Sequence, residues 1–295
     1  MTSDAVIELE DERRPLKRAG VRLLWPSRGQ WRVQPTLVLA FLVLALVVAW
    51  AIVPFLFTSA NPLVGVPADQ LKPPSAAHWF GTDQLGRDIL TRVIYGAVQS
   101  LTGALAAVAV GLVAGTILGV LAGSLGRTLD DILMRIVDVM LAIPSLLLSL
   151  SIITLLGFGT VNASIAVGIT SIALFARLTR SQVVKVRRTD YVEAAIGGGA
   201  RLHRVLWRHV LPNSSGPVVA MAALQFGSAI LQISTLGFLG FGPPPPTAEW
   251  GLMIAEGRDY IATSWWLTAL PGGVVVVVVL ASHRISRWLS TRGRS

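Results

Sequence analysis

The sequence predicts an all-α membrane protein with six transmembrane helices. Three observations carry that expectation. The 295-residue chain is 53% hydrophobic and only 14% charged, with a mean hydropathy of +0.65, whereas soluble domains carry roughly a quarter charged residues. Six apolar stretches, near 36–57, 99–123, 132–156, 161–179, 214–236 and 265–282, each approach the ~20 residues a helix needs to cross the hydrocarbon core. Finally, 21 of the 25 Lys and Arg residues fall on one side of the membrane when these stretches are taken as spans.

The charge pattern orients the chain. Residues 1–36 hold seven basic side chains, the turn between spans two and three holds Arg127 and Arg135, 177–208 holds eight, and the segment from His283 holds four. Only Lys72, Arg87, Arg92 and Arg258 fall on the other side. Basic residues collect on the cytoplasmic side of a bilayer, so both termini are expected in the cytoplasm. A missed span would destroy the asymmetry. The net charge of +9 therefore reads as a membrane-face signal rather than a nucleic-acid surface.

The first element is a polar, basic tail over 1–35, its first fifteen or so residues expected to be disordered. Span one exceeds a signal peptide's apolar region and reads as an uncleaved anchor. In span two, Gly103, Ala107, Gly111, Gly115, Gly119 and Gly123 recur every four residues, placing them along one helix side. Small residues there admit a close helix neighbour, and packing within the chain is preferred to a contact with another subunit. Pro144, Pro217 and Pro271 lie in or beside spans as candidate kinks. Val274–Val279 suits a lipid-facing surface.

Charged side chains are missing from span centres, although Asp130, Asp131, Arg135 and Asp138 gather at the cytoplasmic start of span three. That counts against a proton- or sodium-coupled carrier, which uses ionisable groups at membrane depth. With no cysteine, thiol chemistry is excluded, and the four histidines show no metal-ligand spacing. No Gly-Lys pair exists to build a phosphate-binding loop, and neither Gly-x-Ser-x-Gly nor His-Glu-x-x-His occurs. No cofactor is expected.

Three extramembrane segments remain. Asp83, Arg87, Asp88 and Arg92 stand at helical spacing, so 78–97 reads as an amphipathic helix with paired charges lying on the outer surface. Pro243–Pro246 reads as a stiff spacer, with Trp250 as an interfacial anchor. Between spans four and five, Asp190 and Glu193 have the spacing of a capping box. Ala194 and Ala195 favour helix, and Gly197, Gly198 and Gly199 end it after about two turns. A second short amphipathic helix follows, with Leu202, Val205 and Leu206 opposite Arg201, Arg204 and Arg208, closed by Pro212. Such a helix-turn-helix could be a lever or a mere topology signal, and spacing alone does not choose.

Glu193-Ala194-Ala195, Gly199 and Leu211-Pro212 resemble the EAA loop of ABC importer permeases, and His209 to Asn213 resembles its peptide-importer version. The stretch from His78 through Gly81, Thr82, Asp83, Gly86, Arg87 and Asp88 to Leu101 is similar to the signature before span two in the dipeptide/oligopeptide/nickel "C" permeases. Phe238 to Gly251 and the turn Gly123 to Asp138 are similar to the same branch. The resemblance spans roughly 36–282. Gly198 departs from a usually large apolar residue, and Ile233 from a usual acid. It implies the type I ABC importer permease (MetI-like) architecture in a bacterial inner membrane, a permease domain over 36–282 with a coupling loop at 181–212, and a cytoplasmic tail at 283–295. It implies transport of peptides or a related solute (nickel and haem-like cargo included), without bond chemistry in this chain. It assigns ATPase coupling to Asp190, Tyr191, Glu193, Ala194, Ala195, Gly199, Leu211 and Pro212. The implied partners are a second, non-identical permease, two ATP-binding subunits, an extracytoplasmic substrate-binding protein and membrane lipid, with no nucleic acid.

Overall fold

The computed structural model describes residues 34–292; nearly all of the expected 1–35 tail, and residues 293–295, lie outside them. Every named element among the described residues is helical. Helices α1 (Pro35–Ile52), α2 (Ile89–Ser124), α5 (Thr160–Arg187), α8 (Leu211–Phe238) and α10 (Trp266–Arg292) are long and apolar enough to cross a membrane. The third expected span is divided into α3 (Arg127–Ala142) and α4 (Ser145–Leu156), bent by 96°. Ile143 is extended (φ −88°, ψ 130°) ahead of Pro144. A proline pushes its predecessor out of the helical region and cannot donate the next helical hydrogen bond, which explains the break. Counting the bent pair as one span gives six. By contrast, Pro217 and Pro271 lie inside α8 and α10 without dividing them.

Most spans are longer than hydropathy indicates. α2 begins ten residues before position 99, and α5 and α10 run past 179 and 282 to Arg187 and Arg292. Hydropathy marks only the lipid-immersed part of a helix, while hydrogen bonding continues into polar surroundings.

The tightest seam lies between α2 and α5. A Cβ placed on Gly115 would stand 2.5 Å from Phe175 Cβ, one on Gly111 2.7 Å from Ser171 Cβ, one on Gly119 2.6 Å from the Ala176 carbonyl, and one on Gly123 2.8 Å from Val183 Cγ1. Only glycine lets these backbones approach so closely, and dispersion contacts plus close dipoles then hold the pair where no hydrophobic effect operates between helices. α8 packs on α2 and α5, and Ile230, Ile233 and Leu236 are buried in the shared core. Ile233, at the position of the usual acid, contributes apolar packing: its Cδ1 would lie 3.5 Å from a Cβ on Gly103.

At the basic end of the bundle, charges tie helices together. Asp130 on α3 accepts two hydrogen bonds from Arg180 on α5, at 3.0 and 2.6 Å, and Asp138 accepts from Arg177. Arg187 donates to the last carbonyls of α2, Gly123 (2.8 Å) and Ser124 (3.0 Å). The cation thereby satisfies orphaned helix-end acceptors and opposes the dipole's negative end.

Candidate functional site

The segment between α5 and α8 is built from α6 (Asp190–Gly197) and α7 (Leu202–Val205). α6 starts at Asp190 itself, so Asp190 occupies its first turn and Thr189 precedes it. Its end is a Schellman arrangement. Gly199 sits at φ +81°, the Gly198 N–H donates to the Ala194 carbonyl at 2.9 Å, and the Ala200 N–H reaches back to Ala195 at 3.1 Å. Glycine enters the left-handed region without a Cβ penalty, which stops the helix after two turns.

Pro212 does not close the second helix. α7 runs through a π-helical turn, Leu206–Val210, into α8. The Leu211 N–H bonds the Leu206 carbonyl, five residues back. Widening the turn absorbs the missing Pro212 donor without breaking the rod. The loop therefore runs into α8 as continuous helix, while a two-residue turn at 188–189 joins it to α5.

A small hydrophobic cluster makes it one body. Val192 of α6 is fully buried with Val183 and Val186 of α5, Val205 of α7 and Val210. The outward surface is different in kind. Asp190, Ala194, Gly197, Gly198 and Gly199 are exposed, and Tyr191 is 48% exposed beside the His209 ring. The backbone of Glu193 belongs to α6, but its side chain, like those of Leu202 and His203, lies outside the described residues. Leu211 and Pro212 stand at the root of α8.

The signature before α2 lies at the other end of that helix, about 54 Å away at 1.5 Å per residue over 36 residues. It is not the surface-lying amphipathic helix expected from charge spacing. Residues 78–88 form a turn-rich strap and helix begins only at Ile89, capped by Asp88, which accepts from the Thr91 N–H at 2.7 Å. Gly81 and Gly86 adopt φ +73° and +75° and turn the strap inward. Thr82 is buried, its hydroxyl donating to the Asp69 carbonyl.

The charges point into the protein. Asp83, Arg87 and Arg92 are 5%, 2% and 1% exposed. Asp83 accepts from Arg87 Nε (2.7 Å), Arg92 Nη1 (2.8 Å) and the Leu85 and Arg87 N–H groups (both 2.9 Å). Glu256 of α9 (Trp250–Gly257) completes the group, 3.0 Å from Arg92 Nη2 and 3.6 Å from Arg87 Nη2. Two cations and two carboxylates balance, which is what buried charge requires. Sequence spacing made these residues neighbours along a helix and missed that a loop and a distant helix supply the partners.

Glu249 is the other residue that hydropathy did not reveal. It is fully buried and caps α9, accepting from Gly251 N (2.9 Å), Leu252 N (2.8 Å) and the Ser100 hydroxyl of α2 (3.3 Å). Burial raises its carboxyl above the usual range, and those three donors oppose the rise. An acid directly before an apolar run is a cap signal that could have found it. Trp250 is no interfacial anchor: it is buried, and its indole N–H donates to the Val93 carbonyl at 3.0 Å. The strap, α2 and α9 thus form one locked cap.

A bundle of apolar helices, carrying a short helical pair at one end and a charge-locked cap at the other, defines a multi-pass membrane protein. Residues 115–295 match the family model described as the binding-protein-dependent transport system inner membrane component. The chain belongs to that family. It is 41% identical over 271 residues to the probable D,D-dipeptide transport system permease protein DdpC of Escherichia coli (strain K12), covering 90% of this chain and 89% of that protein. It is 45% identical to the di/tripeptide transport system permease protein DppC of Pseudomonas aeruginosa (strain UCBPP-PA14), covering 72% of each. The fold is also that of a solved inward-facing MetNI methionine ABC transporter chain (TM-score 0.57, 18% identity, 68% of this chain and 97% of that one). An amino acid ABC transporter gives a TM-score of 0.54 at 17% identity, over 70% and 94% of the two chains.

Proposed function

We propose that this chain is the permease subunit of an ATP-driven importer for peptides or a related solute, and that α6 is its coupling element. The observation that carries the reading is the valine cluster joining α6 to α5 and to the root of α8. A push on the small-residue surface of α6 would be delivered to both spans rather than lost in a flexible loop. Peptide cargo is supported by the names of the relatives. The charge distribution supports placing α6 and both termini in the cytoplasm.

On this reading residues 36–282 form the permease domain, with its coupling loop at 181–212. A second, non-identical permease completes the pathway, two ATP-binding subunits receive the coupling helices, and a substrate-binding protein meets the opposite face. Asp190, Tyr191, Glu193, Ala194, Ala195 and Gly199 make or shape the ATPase contact, while Leu211 and Pro212 pass its motion into α8. ATP binding drives the levers and switches access; hydrolysis resets it. The strap residues Gly81 to Asp88 hold the outer cap, and Gly111, Gly115, Gly119 and Gly123 hold α2 against α5.

The test is transport and co-purification of Ala194→Arg and Glu193→Lys, expressed with the neighbouring subunits. Both variants should reach the membrane, lose ATPase association and lose uptake. Normal association and uptake in both would refute the coupling assignment.

A further inference from the structure

The faces of α1 and α10 that meet at the basic end leave a groove of about 420 Å³. Its walls are Leu39, Ala40 and Val43 from α1 and Val277, Leu280 and Ala281 from α10. Those positions recur at three- and four-residue intervals, so each set forms a single helix face. Leu39 and Leu280 are each 62% exposed, and the small Ala40 and Ala281 make the groove floor.

One end of the groove is polar and cationic. Arg284 and Arg287 line it with Thr36. Arg284 donates to the Thr36 hydroxyl at 3.0 Å and to the Gln34 side-chain oxygen, neutral acceptors that fix its direction without cancelling its charge. Arg287 is exposed, and among the described residues no acid forms an ion pair with either arginine. Trp288 packs edge-on against Phe41 at the same level, where an amphipathic ring suits the headgroup region.

An apolar channel of acyl-chain character ending at two guanidiniums with no paired acid among the described residues matches an anionic phospholipid. The chain would fill the groove and the phosphate would accept from both arginines. A protein helix would need acids at that end, and a zwitterionic lipid would bring its own cation. We infer that the α1–α10 groove is a binding site for an anionic phospholipid of the leaflet at the basic end, holding α1 against the bundle.

Native mass spectrometry of the whole transporter, purified in detergent and supplied with phosphatidylglycerol or phosphatidylethanolamine, tests this. The wild type should retain phosphatidylglycerol in preference to phosphatidylethanolamine. Arg287→Gln should lose that retained lipid, Arg287→Lys should keep it, and Ala281→Phe, which fills the groove, should lose both lipids there. Equal retention of the two lipids by the wild type, or unchanged retention in Arg287→Gln and Ala281→Phe, would overturn the site. So would a disulfide from Leu280→Cys to a cysteine on a partner subunit, since a protein would then cover the groove. If Ala281→Phe fails to assemble, the Gln and Lys variants at exposed Arg287 still decide.

Discussion

Arg92, in the first turn of α2, reaches Glu256 on α9 with its Nη2 3.0 Å from Glu256 Oε2, and that contact closes a buried four-membered charge group with Asp83 and Arg87. The pairing converts the strap before α2 and the helix after α8 into one cap. Removing one member would leave an uncompensated buried cation. Glu256→Ala should therefore destabilise the protein by about 3–5 kcal/mol, as breaking buried pairs does. Thermal unfolding in detergent is the measurement; a midpoint unchanged from wild type would show that the group contributes nothing.

Gly115 predicts a steric effect. A Cβ there would stand 2.5 Å from Phe175 Cβ and 2.7 Å from the Ile172 carbonyl, and backbone cannot yield as a flexible side chain would. Gly115→Ala should cost about 1–3 kcal/mol, the usual penalty of overpacking, and Gly115→Leu should prevent accumulation of folded protein. Gly126 separates the two mechanisms. A Cβ there would meet nothing within 4 Å, but its φ is +110°, so substitution strains only the backbone.

Gly199 tests whether the lever's shape matters independently of its contact surface. Its φ of +81° costs a β-branched residue about 1–2 kcal/mol. Gly199→Val should loosen the end of α6 and reduce transport-coupled ATP hydrolysis while leaving the amount of membrane-inserted chain unchanged. Protease sensitivity at 197–201 should rise in parallel; wild-type hydrolysis with wild-type protection would contradict this account.

Glu249 carries a pH dependence. Its folded carboxyl is raised by burial, the backbone and Ser100 donors offsetting this only in part. A raised folded value means the folded state binds the proton more tightly than the unfolded one. The resulting stability is complete below the unfolded value and fades as pH rises through the folded value. The difference in unfolding midpoint between wild type and Glu249→Gln should therefore move against the wild type as pH rises from the ordinary glutamate range towards neutrality. A pH-independent difference would argue for a carboxylate that ionises normally.

The spans are legible in the sequence because lipid imposes a length and a polarity on every crossing, and because basic residues favour one side. The α6 helix is legible for a local reason: its formers and its three glycines lie within ten residues of one another. Pro212 misleads because proline ends an isolated helix, whereas here a π turn re-registers the hydrogen bonds around it. The charges at 83, 87 and 92 mislead because helical spacing cannot reveal a partner as distant as Glu256. Trp250 looks interfacial for the same reason, since the Val93 carbonyl that receives its N–H is contributed by another helix.

By itself, then, the sequence determined a polytopic helical membrane protein, its expected orientation and the position of the short helix α6, all of which follow from local composition and spacing. Only the tertiary structure decided that α6 is packed onto α5 and the root of α8 by a valine cluster, that the strap is locked by buried charge and that the third span is broken through 96°. Packing and charge compensation depend on which distant atoms meet, and the bend angle on how α3 and α4 pack after Pro144 ends the first of them.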